Sequence, residues 1–179
     1  MRKLHVLSAV AAVISVAVAL PADPTASVEA QRGRGPGRAA MTYVAKAAAS
    51  DLYEIESSRL ALDRAQRPAV REFARMLVTD HTRTTELVAA AARADGVTPL
   101  PPQLEPAQRT MLRQLQRHRG PGFDRVYLDQ QLIAHQQALT LHRNYARNGA
   151  GNDLRRVARN ATPVIQGHLG HARQLARGR

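Results

Sequence analysis

Residues 68–95 read PAVREFARMLVTDHTRTTELVAAAARAD, and this stretch decides the fold class. Apolar residues and one histidine recur along it at spacings that suit a helix: Val70, Phe73, Leu77, His81 and Val88. Steps of three and four residues place such a set on one face of an α-helix. Pro68 suits the first turn of a helix, and Gly96 suits its end. The stretch therefore predicts an amphipathic helix whose inner face carries a histidine.

The remainder of the chain from Met41 predicts four more helices. Ala, Arg, Leu and Gln dominate it, and β-branched residues do not run together. Glycine and proline divide it into three further long helices and one short helix, at about 41–64, 123–147, 152–176 and 106–118. Asn152 and Asp153 are expected to supply the capping side chain of the last helix. Pro163 is expected to kink or divide it.

Each of these three long helices also has an inner face at helical spacing. The three sets are Val44, Ala48, Asp51, Ile55, Ser58 and Leu62; Leu128, Leu132, His135, Leu139 and Ala146; and Leu154, Val157, Ala161, Val164, His168, Ala172 and Leu175. Two hairpins with short loops and a long connection between them predict an all-α, ferritin-like four-helix bundle. The short helix lies in the long crossover, and the bundle domain spans residues 41–177.

The N-terminus predicts export from a bacterial cytoplasm. Arg2 and Lys3 precede an apolar run, and small residues follow, so residues 1–30 match a signal peptide cleaved between residues 19 and 30. An uncleaved anchor is the alternative, since the run nears the length of a spanning helix. Residues 31–40 predict a flexible basic linker. We expect a mature protein in the periplasm or cell envelope, without a transmembrane span.

Composition excludes several function classes. The 179 residues include no cysteine, which excludes disulfides and thiolate metal sites. The net charge is +12, and all basic residues except Lys3 and Lys46 are arginine. Only six residues are aromatic, so a protein that stacks bases is disfavoured, and no nucleic-acid partner is expected. The charge permits binding to an anionic envelope surface.

Three histidines lie on the inner faces of three different helices, with Glu54 at the edge of the fourth. With hairpin turns near residues 66 and 150, Glu54, His81, His135 and His168 lie about 18, 22, 23 and 26 Å from their own turns. If the long connection puts the two turns at opposite ends of the bundle, all four reach its middle. Three imidazoles and a carboxylate would suit zinc, copper or iron.

A purely structural role is the alternative for these histidines. Their hydrogen-bond partners would then be found among Asp51, Ser58, Tyr127, Gln131 and Glu54. The Glu-x-x-His pattern of di-iron bundles is absent, because Val78, Leu132 and Ile165 stand three residues before the histidines. Asp80 points about 100° away from His81 around the helix, which favours a surface charge. His142 lies near the inner face of its helix and is expected to pack there.

The chain resembles domain-of-unknown-function family 4142, a family of exported bacterial proteins considered ferritin-like. The resemblance covers about residues 41–175. It rests on ordered motifs: Leu52-Tyr-Glu54-Ile-Glu56, Val70-Arg-Glu-Phe-Ala74, Met76-Leu-Val-Thr-Asp80-His81, Phe123-Asp124 with Tyr127, His135-Gln136, and Pro163 with His168-Leu169. It implies that Glu54, His81, His135 and His168 occupy the signature positions of the family. Members often carry an acidic residue where this chain has Ala134.

Two functional hypotheses follow. The first is a cell-envelope bundle of unknown activity that binds a transition metal through Glu54, His81, His135 and His168. The second is a non-enzymatic basic module that binds anionic lipid, a surface polymer or a protein partner. An enzyme is disfavoured because the chain has no Ser-His-Asp order, Gly-rich phosphate loop or zinc-protease spacing.

Overall fold

The computed structural model describes residues 36–178 and contains five helices and no strand in that range. They are α1 (Pro36–Arg64), α2 (Pro68–Ala94), α3 (Pro106–Gln116), α4 (Gly120–Asn148) and α5 (Asn152–Arg177). The predicted all-α class is confirmed. The predicted signal peptide and the first half of the predicted linker lie outside the described residues.

Two helices differ from their predicted extents. Helix α1 begins at Pro36, so residues 36–40 of the predicted linker are helical, and Ala40 at the end of this segment is buried. Helix α5 continues through Pro163 without interruption, contrary to a division at that residue. A proline costs one backbone hydrogen bond, and the long buried face of this helix outweighs that loss.

The four long helices form a bundle of two hairpins, α1–α2 and α4–α5. Helix α1 also packs against α4, and α2 packs against α5. The hydrogen bonds from Tyr43 to His142 and between Ser58 and Tyr127 show that α1 and α4 run antiparallel. The crossover that contains α3 therefore carries the chain from one end of the bundle to the other, and α3 packs across α1 and α4.

An aspartate from each hairpin caps a helix of the other. Asp124 accepts hydrogen bonds from the backbone N–H groups of Gln66 and Arg67, at 2.9 and 3.0 Å. Asp95 accepts from those of Asp153 and Leu154, at 3.3 and 2.8 Å. The two hairpin turns therefore lie at opposite ends of the bundle, as the height estimate required.

The cap on α5 does not come from the residues that the sequence indicated. The residue before the helix is Gly151, with φ +84°, and neither Asn152 nor Asp153 supplies a capping side chain. A Cβ atom on Gly151 would lie 2.2 Å from Oδ2 of Asp95. Glycine is therefore needed both for the left-handed backbone conformation and for the approach of the Asp95 carboxylate.

A polar layer separates two apolar parts of the core. One apolar cluster lies at the end of the α1–α2 turn and includes Phe73, Leu77, Phe123, Tyr127 and Leu128. The other lies at the opposite end and includes Tyr43, Ala47, Val88, Tyr145 and Leu154. Buried polar residues that belong to neither cluster include Asp51, Glu54, Ser57, Ser58, His81, Gln131, His135 and His168.

The inner face predicted for α2 is buried throughout, whereas those predicted for α4 and α5 are buried only in part. Leu132, Leu139 and Ala146 of α4 are half-buried, and Val164 of α5 is 45% exposed. Helix α4 instead buries Gln131, Ala134, Ala138 and His142, and α5 buries Ala158 and Ile165. Polar and small residues fill much of the buried face of each of these two helices. The faces predicted from the large apolar residues therefore lie to one side of the faces that are buried.

Among residues 36–178, no helix combines the length and the apolar character needed to cross a membrane.

Candidate metal centre

The three histidines predicted as ligands meet in the polar layer. Their ring centroids form a nearly equilateral triangle, with separations of 5.6 Å for His81–His135, 5.4 Å for His81–His168 and 5.4 Å for His135–His168. Glu54 completes the group, because its Oε2 atom lies 2.5 Å from Nε2 of His81. The four residues come from the four long helices, so the tertiary fold alone brings them together.

Each histidine has one ring nitrogen held by an acceptor on its outer side. Nδ1 of His81 lies 2.8 Å from Oδ1 of Asp51. Nδ1 of His135 lies 2.9 Å from the Gln131 carbonyl oxygen, and Nε2 of His168 lies 2.9 Å from Oδ2 of Asp80. A carbonyl or carboxylate oxygen can only accept here, so these three nitrogens donate. The second nitrogen of His81 lies against Glu54, and those of His135 and His168 have no hydrogen-bond partner.

Four buried atoms at this centre lack a hydrogen-bond partner among the described residues: Nε2 of His81, Nε2 of His135, Nδ1 of His168 and Oε2 of Glu54. Of these, Nε2 of His81 and Oε2 of Glu54 lie 2.5 Å apart and form an ion pair, so each is the partner of the other. Unpartnered buried polar atoms are uncommon and costly. The ion pair leaves Nε2 of His135 and Nδ1 of His168 as buried atoms without a hydrogen-bond or ionic partner, and their lone pairs could coordinate a metal ion.

The spacing of the rings fits a single tetrahedral ion. Three imidazoles bound at about 2.1 Å from a tetrahedral metal would have ring centroids roughly 5 Å apart. The observed separations of 5.4–5.6 Å exceed that by only a few tenths of an ångström. Ligand atoms of His81, His135 and His168 lie within 4.8 Å of one another. A slight inward movement of the side chains would therefore be enough to coordinate an ion.

The charges at the centre are unequal. Burial alone would raise the pKa of Glu54. The positive charge of His81, which lies against the carboxylate, lowers that pKa to about 2. Burial alone would lower the pKa of His81, but the carboxylates of Glu54 and Asp51 raise it to about 10. Without an ion, Glu54 is a carboxylate and His81 is an imidazolium. An ion coordinated by His81 would replace that proton.

The other two histidines are neutral and so have lone pairs ready for coordination. Burial lowers the pKa of His168 to about 4, and the nearby charge of His81 acts in the same direction. Burial also lowers the pKa of His135, an effect that Glu54 only partly offsets. Neutral imidazole is the form that binds a metal ion, so these two residues need no deprotonation near neutral pH.

The residues named as structural partners divide into two groups. Asp51 and Glu54 contact the two ring nitrogens of His81, whereas Gln131 contacts only one nitrogen of His135. Ser58 and Tyr127 form a hydrogen bond of 2.8 Å with each other. The histidines are therefore only partly satisfied by their protein neighbours.

The structure corrects the interpretation of Asp80 and adds a hydrogen-bond partner to that of His142. Asp80 is not simply a surface charge, because its 100° offset from His81 places it at the boundary with α5, where it accepts from His168. Its position beside His81 in sequence gave no hint of this contact with another helix. His142 is fully buried, and its Nδ1 lies 3.1 Å from the hydroxyl of Tyr43.

Comparison with known protein families identifies the family of this chain. The model of the family described as a domain of unknown function (DUF4142) matches residues 23–175. The chain belongs to the DUF4142 family. The resemblance seen in the sequence is confirmed. A search of curated proteins gave no match to this DUF4142 chain.

Solved structures with the same helical fold include two of CopM and one of a DUF305 fragment. CopM in the Cu(I)-bound form and in the Cu(II)-bound form each gives a TM-score of 0.64 at 16% identity. The DUF305 fragment from Deinococcus radiodurans gives 0.67 at 18% identity. Each match covers 78% of the DUF4142 chain and 96% of the other chain. At such identities the likeness shows the fold.

Proposed function

We propose that this protein binds one transition-metal ion in the core of its bundle, through His81, His135, His168 and Glu54. The observation that carries the proposal is the cluster of three buried histidines beside the buried carboxylate of Glu54, in which His135 and His168 each keep one ring nitrogen without a hydrogen-bond partner. Each histidine is also oriented by an acceptor on its outer nitrogen, which is how proteins commonly hold metal-binding imidazoles. A merely structural histidine would be expected to use both nitrogens.

The donor set narrows the choice of ion. Imidazole nitrogens suit zinc, copper and iron, whereas magnesium and calcium prefer oxygen ligands. Copper is the first ion to test, because two of the similar structures are of CopM in copper-bound forms. With four protein ligands in a buried layer, the site would be closed, which favours holding an ion over catalysis on it.

We also propose that the protein works outside the cytoplasm, in the periplasm or cell envelope. The basic n-region, apolar run and small-residue cleavage sites of residues 1–30 support this. N-terminal sequencing of exported protein is expected to begin between Leu20 and Gln31. An N-terminus at Met1 on protein outside the cytoplasm would contradict cleavage.

The metal proposal can be tested with protein purified without a histidine tag. We expect about one zinc, copper or iron ion per chain by elemental analysis, because the three histidines offer ligand atoms within 4.8 Å of one another and Glu54 adjoins His81. Adding the preferred ion to metal-free protein should raise its melting temperature, since an ion that binds only the folded state stabilises it. Absence of both bound metal and a thermal shift with all three ions would reject the proposal.

Matched variants separate the core site from the other histidines. His135→Gln removes a ligand nitrogen and is expected to lower the affinity strongly. His118→Gln and His171→Gln alter half-buried histidines outside the cluster, and they should bind as the wild type does. Equal loss of metal from all three variants would indicate adventitious binding by histidine at the surface.

A further inference from the structure

Of the three acceptors that hold the histidines, only one is open to solvent. The Asp51 side chain is 4% exposed, and Gln131 is fully buried. The Asp80 side chain, by contrast, is 38% exposed, while that of its partner His168 is 5% exposed. His168 is therefore the ligand whose outer hydrogen bond can be broken and remade from the surface.

Asp80 lies in a cleft of about 450 Å³ between α2 and α5. Two large apolar side chains also line this cleft and are themselves partly exposed, Leu87 at 48% and Val164 at 45%. The carboxylate of Asp80 thus stands between the solvent in the cleft and the imidazole of His168. Arg83 and Arg156 also line the cleft, and Arg156 is paired with Asp153. Asp80 is thus the one acidic residue of this lining, and it can contact a cation before the cation reaches the buried ligands.

We propose that the metal ion enters and leaves through this cleft, and that Asp80 sets the rate of exchange by holding or releasing the ring of His168. This inference rests on the proposed function. When Asp80 holds Nε2 of His168, the other nitrogen of the ring, Nδ1, is fixed toward the centre. When that hydrogen bond opens, the ring is free to turn, and the path between the cleft and the other ligands opens. Asp80 is thus a positioning residue. It contacts the ion only while the ion moves through the cleft.

A second groove offers a weaker route and a useful control. It is about 640 Å³ in volume, lies among α1, α3 and α4, and is lined by Ser50 and Ile133. Ser50 approaches the centre through its hydroxyl, which lies 3.5 Å from Oε1 of Glu54. That distance is at the outer limit of a hydrogen bond. The charged residues that line this groove, Lys46 and Glu105, offset each other, and the hydroxyl of Ser50 attracts a cation less than a carboxylate does.

Narrowing each route separately provides the test. Leu87→Trp with Val164→Trp fills the α2–α5 cleft, and Ile133→Trp, at a residue that is 47% exposed, narrows the other groove. Stopped-flow uptake of copper or zinc and its extraction by a chelator give the two rates for each full-length protein. We expect the double variant to slow uptake and release by the same factor, about tenfold, with the affinity unchanged. The Ile133→Trp protein should exchange as the wild type does.

Substitution of Asp80 tests the role of the hydrogen bond itself. Asp80→Ala should weaken binding by about 10- to 100-fold, mainly through faster release. Asp80→Asn keeps an acceptor oxygen and should restore much of the wild-type rate. Imidazole ¹⁵N NMR of metal-free protein supplies a readout that does not depend on metal: His168 should carry its proton on Nε2 in the wild type and lose that preference in Asp80→Ala. Thermal melts followed by circular dichroism will show whether each variant is folded, and Asp80→Asn keeps the test valid if Asp80→Ala is not.

The outcomes distinguish this inference from the function on which it rests. If the wild type binds no ion at its core histidines, the proposed function fails and the inference with it. If the wild type binds but Ile133→Trp slows exchange while the cleft variant does not, the route is overturned and the metal site stands. An unchanged release rate in Asp80→Ala would overturn the role given to Asp80.

Discussion

Oε2 of Glu54 on α1 lies 2.5 Å from Nε2 of His81 on α2. The side chains of both residues are sealed from solvent, at 0% and 4% exposure. They form a buried ion pair. Coordination of a metal ion by Nε2 of His81 would require that nitrogen to lose its proton. This relationship makes the stability of the metal-free bundle depend on the same residues as its proposed ligand site.

Glu54→Gln is therefore expected to destabilise the metal-free protein by about 3–5 kcal/mol, because it leaves a buried imidazolium without its nearest counter-charge. Urea unfolding at pH 7 measures the change. Glu56→Gln, two residues along the same helix and only half-buried, is the matched control and should change stability little. A Glu54→Gln protein as stable as the wild type would show that His81 is neutral in the folded state.

The stability of the metal-free protein is expected to reach a maximum near pH 6.5. His142 and His168 have folded pKa values of about 4, below the ordinary value of 6.5, so the unfolded chain binds more protons as the pH falls between those values. Stability is therefore lost on the acid side. His81 has a folded pKa of about 10, so its contribution is complete below 6.5 and is lost as the pH rises toward 10.

Denaturant unfolding from pH 4.5 to 9 checks this profile. His142→Gln should reduce the loss on the acid side, where the contribution of His168 remains, without altering the alkaline side, because His142 bonds to Tyr43 and not to the histidine cluster. Stability that does not change between pH 5 and 8 would contradict the assignment of buried neutral histidines.

Removal of the carboxylate that caps α5 should weaken the junction between the hairpins. Asp95→Ala leaves the backbone N–H groups of Asp153 and Leu154 without their acceptor, at an expected cost of about 1–2 kcal/mol. Asp63→Ala removes an exposed aspartate of α1 and should cost far less. Urea unfolding compares the two, and equal effects would mean that the Asp95 cap contributes nothing specific.

Gly151→Ala is expected to destabilise the fold by more than about 1 kcal/mol, because it combines a positive φ with a steric clash against Asp95. Gly170→Ala on the exposed side of α5 should instead stabilise it by about 0.5–1 kcal/mol, since a Cβ atom there would meet no neighbour within 4 Å. Thermal melts of the two variants should therefore shift in opposite directions. A shift in the same direction would contradict the conformation assigned to Gly151.

The local pattern of the chain was enough to predict the number and order of the helices. The set from Val70 to Val88 marked the inner face of α2 correctly, since most of its residues are apolar. The same reasoning misplaced the faces of α4 and α5, where Gln131, His142 and small residues are buried in place of Leu132, Leu139 and Val164. Hydrophobicity marks a buried face poorly when that face contains a polar layer.

Chain distances along ideal helices were sufficient to place Glu54, His81, His135 and His168 at a common height. They were insufficient for contacts that depend on how neighbouring helices are rotated and paired. The hydrogen bond of His168 to Asp80 and the capping of α5 by Asp95 both join residues more than fifty positions apart. Neither contact has a local signature, because each requires two helices to meet at a particular height and angle.

The sequence by itself determined an all-α bundle of two hairpins, because helical periodicity and the breaking residues are properties of neighbouring residues in the chain. It also identified four residues on inner faces as the candidate site. Only the tertiary structure decided which ring nitrogen of each histidine faces inward, because an acceptor on a different side chain or a backbone turn fixes it. It likewise decided that Asp80 links the site to the surface, since that link forms only where α2 packs against α5.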